Sequence, residues 1–142
     1  LLWLLKNVNK NLSVLDYGCG SGILGIASKK IGAKKVIGVD IDNQAVDASK
    51  ENSKMNDVKI FWSNTKNKIE FKADLIVANI LSSALIVLAP ILAEHCKING
   101  KIALSGILES QEDDIKKIYS SWFDFNPSYK KDGWVLISGT KR

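Results

Sequence analysis

The sequence predicts an α/β fold: a doubly wound, mostly parallel sheet of seven strands in one Rossmann-like domain. Three observations carry that prediction. Short β-branched runs alternate with stretches of helical period from residue 13 to residue 122. Such alternation buries strands on both faces and belongs to a parallel sheet flanked by helices. A glycine-rich turn follows the first strand, and Asp132–Gly133, a hairpin dipeptide, joins the last two. The hairpin adds one antiparallel strand at the end of the sheet.

Taken in order, Leu1–Val8 reads as the end of an entering helix and Asn9–Asn11 as a polar break. Ser13–Asp16 is the first strand, and 17–22 its turn. Ile23, Ile26, Ala27 and Ile31 recur at helical spacing, and Gly32 stops that helix. Lys35–Asp40 is the second strand, with Val36, Ile37 and Val39 continuous. Asn43 is placed to cap a helix from Gln44 to about Met55, with Asp42 helping. Val58–Trp62 and Ala73–Ala78 are the third and fourth strands. Ser82 or Ser83 opens a helix to about Cys96, Asn99–Gly100 turns the chain, and Lys101–Ser105 is the fifth strand. A helix over Glu109–Trp122 and a hairpin of Phe125–Tyr129 with Trp134–Ser138 complete the chain. The four tryptophans read as core or half-buried residues.

Composition narrows the function classes. A chain of 142 residues is one domain at about 100–200 residues each. Hydrophobic residues at 46%, charged residues at 25% and only 2 Pro exclude a disordered or collagen-like chain. No apolar run reaches the roughly 18 residues of a membrane-spanning helix, and Leu1–Leu5 lacks the basic flank of a signal peptide. The chain has no initiator Met, so it is expected to be a fragment or an excised domain. Cys19 and Cys96 make no disulfide framework and read as reduced thiols. His95 beside Cys96 falls short of the ligand set zinc requires, so no metal is expected. The net charge of +5 comes from 19 Lys and a single Arg, Arg142. Arg is the residue suited to bidentate base and phosphate contacts. The charge therefore reads as solvated surface, and specific nucleic-acid binding is not expected.

In a doubly wound sheet, ligands bind beyond the carboxyl ends of the strands. Residues after strands one, two and four are thus the candidates. The first strand runs into Asp16-Tyr17-Gly18-Cys19-Gly20-Ser21-Gly22, a G-x-G-x-G loop. Dinucleotide folds use G-x-G-x-x-G, and Ile23 stands where their third glycine would be. Asp16 would repel a pyrophosphate but suits an ammonium group. Gly18, Gly20, Gly22 and Asp16 therefore point to S-adenosylmethionine rather than a nicotinamide dinucleotide. Asp40, 22 residues after Gly18, is placed to accept from a ribose diol. Ile41 is placed on an adenine face. Ser63 and Asn64 follow strand three, either at an adenine edge or as plain loop residues. Asn79 ends strand four, where its carbonyl oxygen would accept from an incoming amine, or where it would cap the next helix. Together these positions predict a class I S-adenosylmethionine-dependent methyltransferase fold.

The sequence also resembles a named family. Val14 to Leu24, with its glycine loop, and Gly32 to Asp42 are similar to the bacterial methyltransferases that modify ribosomal large-subunit protein eleven. Ala78-Asn79-Ile80-Leu81 and Leu104-Ser105-Gly106-Ile107-Leu108, followed by Gln111, narrow the likeness. It covers nearly the whole chain, up to Trp134. It implies a cytoplasmic enzyme that uses S-adenosylmethionine to methylate lysine and α-amino groups of a ribosomal protein; a monomer is expected. It also implies that Gly18, Asp40 and Asn79 bind cofactor; from its place after strand four, Asn79 is expected to be catalytic as well, positioning the nucleophile. Family members carry a small N-terminal recognition domain and a Thr-rich linker, expected upstream of Leu1. The alternatives are a methyltransferase for RNA or a small molecule, or a non-catalytic binding module. RNA base-amine enzymes often place Pro-Pro-aromatic after the strand-four Asn, whereas Ile80-Leu81 stands here.

Overall fold

The computed structural model describes residues 1–66 and 70–142. A short helix α1 (Leu2–Asn7) precedes β1 (Ser13–Tyr17), α2 (Ile23–Ile31), β2 (Lys35–Asp40), α3 (Asn43–Met55) and β3 (Phe61–Asn64). Then come β4 (Ala73–Asn79), α4 (Ser82–Glu94), β5 (Cys96–Leu108) and α5 (Glu112–Tyr119). Three strands close the chain: β6 (Phe123–Phe125), β7 (Tyr129–Lys131) and β8 (Trp134–Lys141). The sheet order is β3-β2-β1-β4-β5-β8-β6, with β7 also pairing β8. Pairing is parallel from β3 through β5 and antiparallel around β8.

The sheet has eight strands where the sequence predicts seven. The segment read as a single strand over 125–129 is two. Asn126 and Pro127 separate them, and proline has no N–H for a ladder. β6 and β7 therefore pair with different stretches of β8, Phe125 opposite Gly139 and Tyr129 opposite Leu136. Strand five is also longer than expected at both ends. Asn99 does take the left-handed conformation of a turn residue (φ 67°), but as an irregularity within β5. A second irregularity lies between Leu104 and Ile107, and the strand continues to Leu108. Helix α3 is capped by Asp42, whose side chain accepts from the Gln44 N–H, and Asn43 is its first residue.

The sheet has apolar residues on both faces because successive strand residues point opposite ways. On one face, Leu85, Leu92, Ile115 and Tyr119 of α4 and α5 cover Ile76, Ile102, Leu104 and Ile137. The Tyr119 hydroxyl donates to the Leu85 carbonyl at 2.7 Å, tying the two helices together. On the other face, Leu4 and Val8 join Val14, Val36, Leu75 and Val77, with Leu24 and Ala27 of α2 packed alongside. A third cluster, Cys19, Ile26, Val46 and Trp62, lies beneath the glycine loop. Trp62 is buried as expected, whereas Trp134 is 53% exposed, because it opens β8 at the rim of the sheet.

Trp62 occupies the space above a missing side chain. A Cβ on Gly38 would lie 2.0 Å from its ring. The indole N–H donates to Ser53 Oγ at 2.9 Å, so the ring has no room to slide. Gly38→Ala is expected to destabilise the fold by at least the ~1–3 kcal/mol of an overpacked core. Denaturant unfolding measures this, and a loss below ~0.5 kcal/mol would show that Trp62 can move aside.

Candidate active site

Strands β2, β1 and β4 lie side by side, and the order reverses between β1 and β4. Their carboxyl ends form the crevice where doubly wound sheets take ligands. The glycine loop lines it. Gly18, Gly20 and Gly22 all have positive φ (76°, 56° and 86°), which side chains rarely tolerate. A Cβ on Gly18 would sit 2.3 Å from Ile80 Cγ2, so strand four's tip packs directly on the loop. Gly20 has open space instead. That bare stretch of backbone is where a ligand can come close.

The loop has no ladder of its own, yet several of its polar groups are paired. The Gly18 and Cys19 N–H groups donate to the Val39 carbonyl at 2.7 and 2.9 Å. The Gly20 N–H donates to Asp40 Oδ2 at 2.9 Å. The other Asp40 oxygen accepts from the Asp42 N–H at 2.9 Å. A carboxylate offers about four lone-pair sites, so two remain for a diol. Ile41, next in the chain, is 82% exposed and presents an apolar lip.

Asp16 is placed beneath the loop, 1% exposed, rather than in the mouth of the crevice. Its Oδ2 accepts from the Gly25 N–H at 2.9 Å and anchors the start of α2. Burial pushes its carboxyl up to about 7; the Gly25 N–H works against that rise and the charge on Asp40 adds to it. Cys19 is also buried, and its thiol is raised to about 11, mainly by desolvation.

Asn79 stands exposed at the tip of β4, opposite Ser105 in register. It does not cap α4, whose N-cap is Leu81 and has no side-chain cap bond. A groove of about 480 Å³ opens beside it, lined by Ser105, Gly106, Tyr129, Lys131 and Trp134. Gly106 lies in the second irregularity of β5 at φ 81°, and a Cβ there would stand 3.1 Å from Asn79 Oδ1. β-Bulges often re-aim residues beside active sites, and this one clears space for the Asn79 side chain.

The crevice thus gathers Gly18, Gly20, Asp40, Ile41 and Asn79, with Gly22 and Asp16 supporting from below. Ser63 and Asn64 bond within the protein: Ser63 Oγ donates to the Asn64 carbonyl at 3.1 Å, and Asn64 Nδ2 to Asn43 Oδ1 at 3.0 Å. Sequence reasoning missed two residues of α3, Ser49 and Asn52, which bond the loop's carbonyls. Their spacing of three on one helix face is the only signal the sequence holds for them. His95 Nδ1 pairs with the Phe71 carbonyl at 2.8 Å, and no cluster suited to a metal occurs among the described residues. Among those residues, no helix is long and apolar enough to cross a membrane.

Comparison with known proteins gives the family. The family model described as ribosomal protein L11 methyltransferase (PrmA) matches residues 1–142. The chain belongs to the ribosomal protein L11 methyltransferase family. Curated relatives of that name include those of Methylobacillus flagellatus, 49% identical over 142 residues, and Chromobacterium violaceum, 47% identical over 144. Each alignment covers 100% of this chain and 48% of the relative, so the chain spans about half the length of the curated relatives it matches. The crystal structure of ribosomal protein L11 methylase from Lactobacillus delbrueckii subsp. bulgaricus is 33% identical with a TM-score of 0.93. That match covers 99% of this chain and 76% of that one. Magnesium protoporphyrin IX methyltransferase from Synechocystis, solved with bound S-adenosylmethionine, is 20% identical with a TM-score of 0.80, covering 99% of this chain and 76% of that one. At that identity it shows the shared fold, that of the class I S-adenosylmethionine-dependent methyltransferases, as the sequence predicts.

The buried carboxyl of Asp16 has a measurable consequence for this family member. Its pKa in the folded chain, about 7, exceeds the ordinary 3.8, so the folded protein holds an extra proton between those values. Stability therefore falls as pH rises through that window. Asp16→Asn keeps an oxygen for the Gly25 N–H and has no charge to bury. Relative to the parent, its melting temperature is expected to gain between pH 5 and pH 8. A difference that stays constant with pH would show that the Asp16 carboxyl titrates normally.

Proposed function

We propose that residues 1–142 form the catalytic module of an S-adenosylmethionine-dependent protein N-methyltransferase acting on lysine and α-amino groups of a ribosomal large-subunit protein. The observation that carries this is the meeting of the open glycine loop, Asp40 and Asn79 at adjacent strand tips, in a chain of this family. Selection of the ribosomal protein belongs, on this reading, to a recognition domain outside the module. The same reading makes the enzyme a cytoplasmic monomer whose partner is a protein and not a nucleic acid.

The residues present fit the cofactor. Gly20 leaves bare backbone for close approach, and the spare lone pairs of Asp40 suit the ribose hydroxyls. Ile41 offers an apolar surface to the adenine, and Asp16 lies beneath the amino-acid end, where a cationic ammonium would favour its ionised form. The cofactor supplies an electrophilic methyl group on a cationic sulfur.

The protein's task is to present a neutral amine. Lysine has an unperturbed pKa near 10.4, so the acceptor must first shed a proton, which passes to solvent because, among the described residues, no carboxylate or imidazole lines the groove. Entry into the groove beside Trp134 and Tyr129 strips water from the ammonium and lowers that pKa. The Asn79 carbonyl oxygen then accepts an N–H of the neutral amine and directs its lone pair. Alignment of this kind contributes up to about 7–11 kcal/mol to such reactions.

Calorimetry with S-adenosylmethionine tests the cofactor assignment, and absence of binding would reject it. Asn79→Ala is expected to slow methyl transfer to the ribosomal protein roughly tenfold, the worth of one hydrogen bond. Its melting temperature should stay near that of the parent, because Asn79 is exposed. Turnover equal to the parent's would remove Asn79 from this role. Methylation of RNA but not of the ribosomal protein would overturn the substrate.

A further inference from the structure

The strand tips account for the front of the glycine loop. Its back is held by α3. Ser49 Oγ donates to the Gly20 carbonyl at 2.9 Å, and the same hydroxyl lies 3.4 Å from the Cys19 sulfur. Asn52 Nδ2 donates to the Ser21 carbonyl at 2.9 Å. Ser49 is completely buried, and Asn52 is half-buried. Serine inside a helix usually returns its hydroxyl to its own backbone, one turn back. Here the donor reaches a loop 29 residues earlier instead.

Peptide geometry gives the Ser49 bond a directional consequence, while the Asn52 bond sets the next peptide, whose Gly22 N–H donates to the Cys19 carbonyl at 2.8 Å. In a planar trans peptide, the carbonyl and the following N–H point opposite ways. With the Gly20 carbonyl held towards α3, the Ser21 N–H faces away from that helix. That N–H makes no hydrogen bond within the described residues, and Ser21 is exposed. Helix α3 also starts beside the other end of the crevice, since its cap Asp42 follows Asp40 and Ile41 directly. One rigid helix thus sets the spacing between the loop and the Asp40–Ile41 lip.

We infer that Ser49 and Asn52 are positioning residues for the cofactor: by holding the Gly20 carbonyl against α3, Ser49 aims the Ser21 N–H into the crevice, and by holding the Ser21 carbonyl, Asn52 fixes the peptide on the other side of Ser21. They touch no reacting atom and act through the loop backbone. The inference rests on the cofactor reading proposed above.

The test measures S-adenosylmethionine binding to the intact protein by calorimetry, with KM and kcat for methyl transfer. Asn52→Asp keeps the shape but replaces the donor with an acceptor facing a carbonyl. It is expected to weaken cofactor affinity roughly tenfold or more, and Asn52→Ala by less. Ser49→Ala is expected to cost about tenfold, as a buried carbonyl loses its donor. In each case KM for the cofactor should rise while kcat at saturation changes less than twofold, which a general loss of structure would not produce. Lys50→Ala, exposed on the same helix, controls for helix integrity. Parent-like affinity in Asn52→Asp and Ser49→Ala would overturn the inference while leaving the cofactor reading intact. So would an equal loss in Lys50→Ala. If the parent protein itself fails to bind, the cofactor reading falls first and this inference with it.

Discussion

The crevice depends on one constraint. A turn of irregular backbone must have its polar groups satisfied and still leave one face bare. Loop N–H and C=O groups that are buried without partners are costly, and the turn has no ladder of its own to supply them. The protein solves this by borrowing them from three directions. The Val39 carbonyl and the Asp40 carboxylate take N–H groups from the side of β2. Ser49 and Asn52 supply donors for the carbonyls from α3. Asp16 takes the Gly25 N–H from below. Only the outer face, at Gly20 and Ser21, is left to a ligand.

Asp40 illustrates how economical this arrangement is. A single carboxylate organises the protein's own loop and, in the function proposed above, also receives the ribose hydroxyls. A residue that serves both roles cannot be assigned to cofactor binding alone, and its removal should disturb the loop as well as the ligand. Asp16 differs. It carries the charge that suits an ammonium, yet its burial makes that charge costly until a cation arrives. The two carboxylates stand close enough to raise the proton affinity of Asp16. A cationic ligand is the natural complement to such a pair.

The groove beside Asn79, proposed above to take the acceptor, is built differently, from a strand irregularity. β5 runs past Ser105 through Gly106, and the break in register opens room beside Asn79. The rim is formed by Tyr129, Lys131 and Trp134, residues that the split of the closing strand brings together. Exposure of Trp134 makes sense on this view. An aromatic ring at the groove's edge offers apolar surface to the stem of a long side chain.

Much of this was legible in the residues alone. Alternating β-branched and helical-period segments and a glycine loop one residue shorter than the dinucleotide type determined the fold class, and Asp40 and Asn79 at strand ends marked where in it a crevice would lie. These are local signals, set by backbone sterics and by the two periodicities of side-chain direction. The split of the last antiparallel segment, the bulge at Gly106, the burial of Asp16 and the hold of Ser49 and Asn52 on the loop were decided by tertiary structure. Each depends on what a distant segment presents across space: β8 to β6 and β7, β4 to β5, and α3 to a loop some 30 residues earlier. A hydrogen bond formed across such a distance leaves no periodicity in the chain, so only the folded molecule can reveal it.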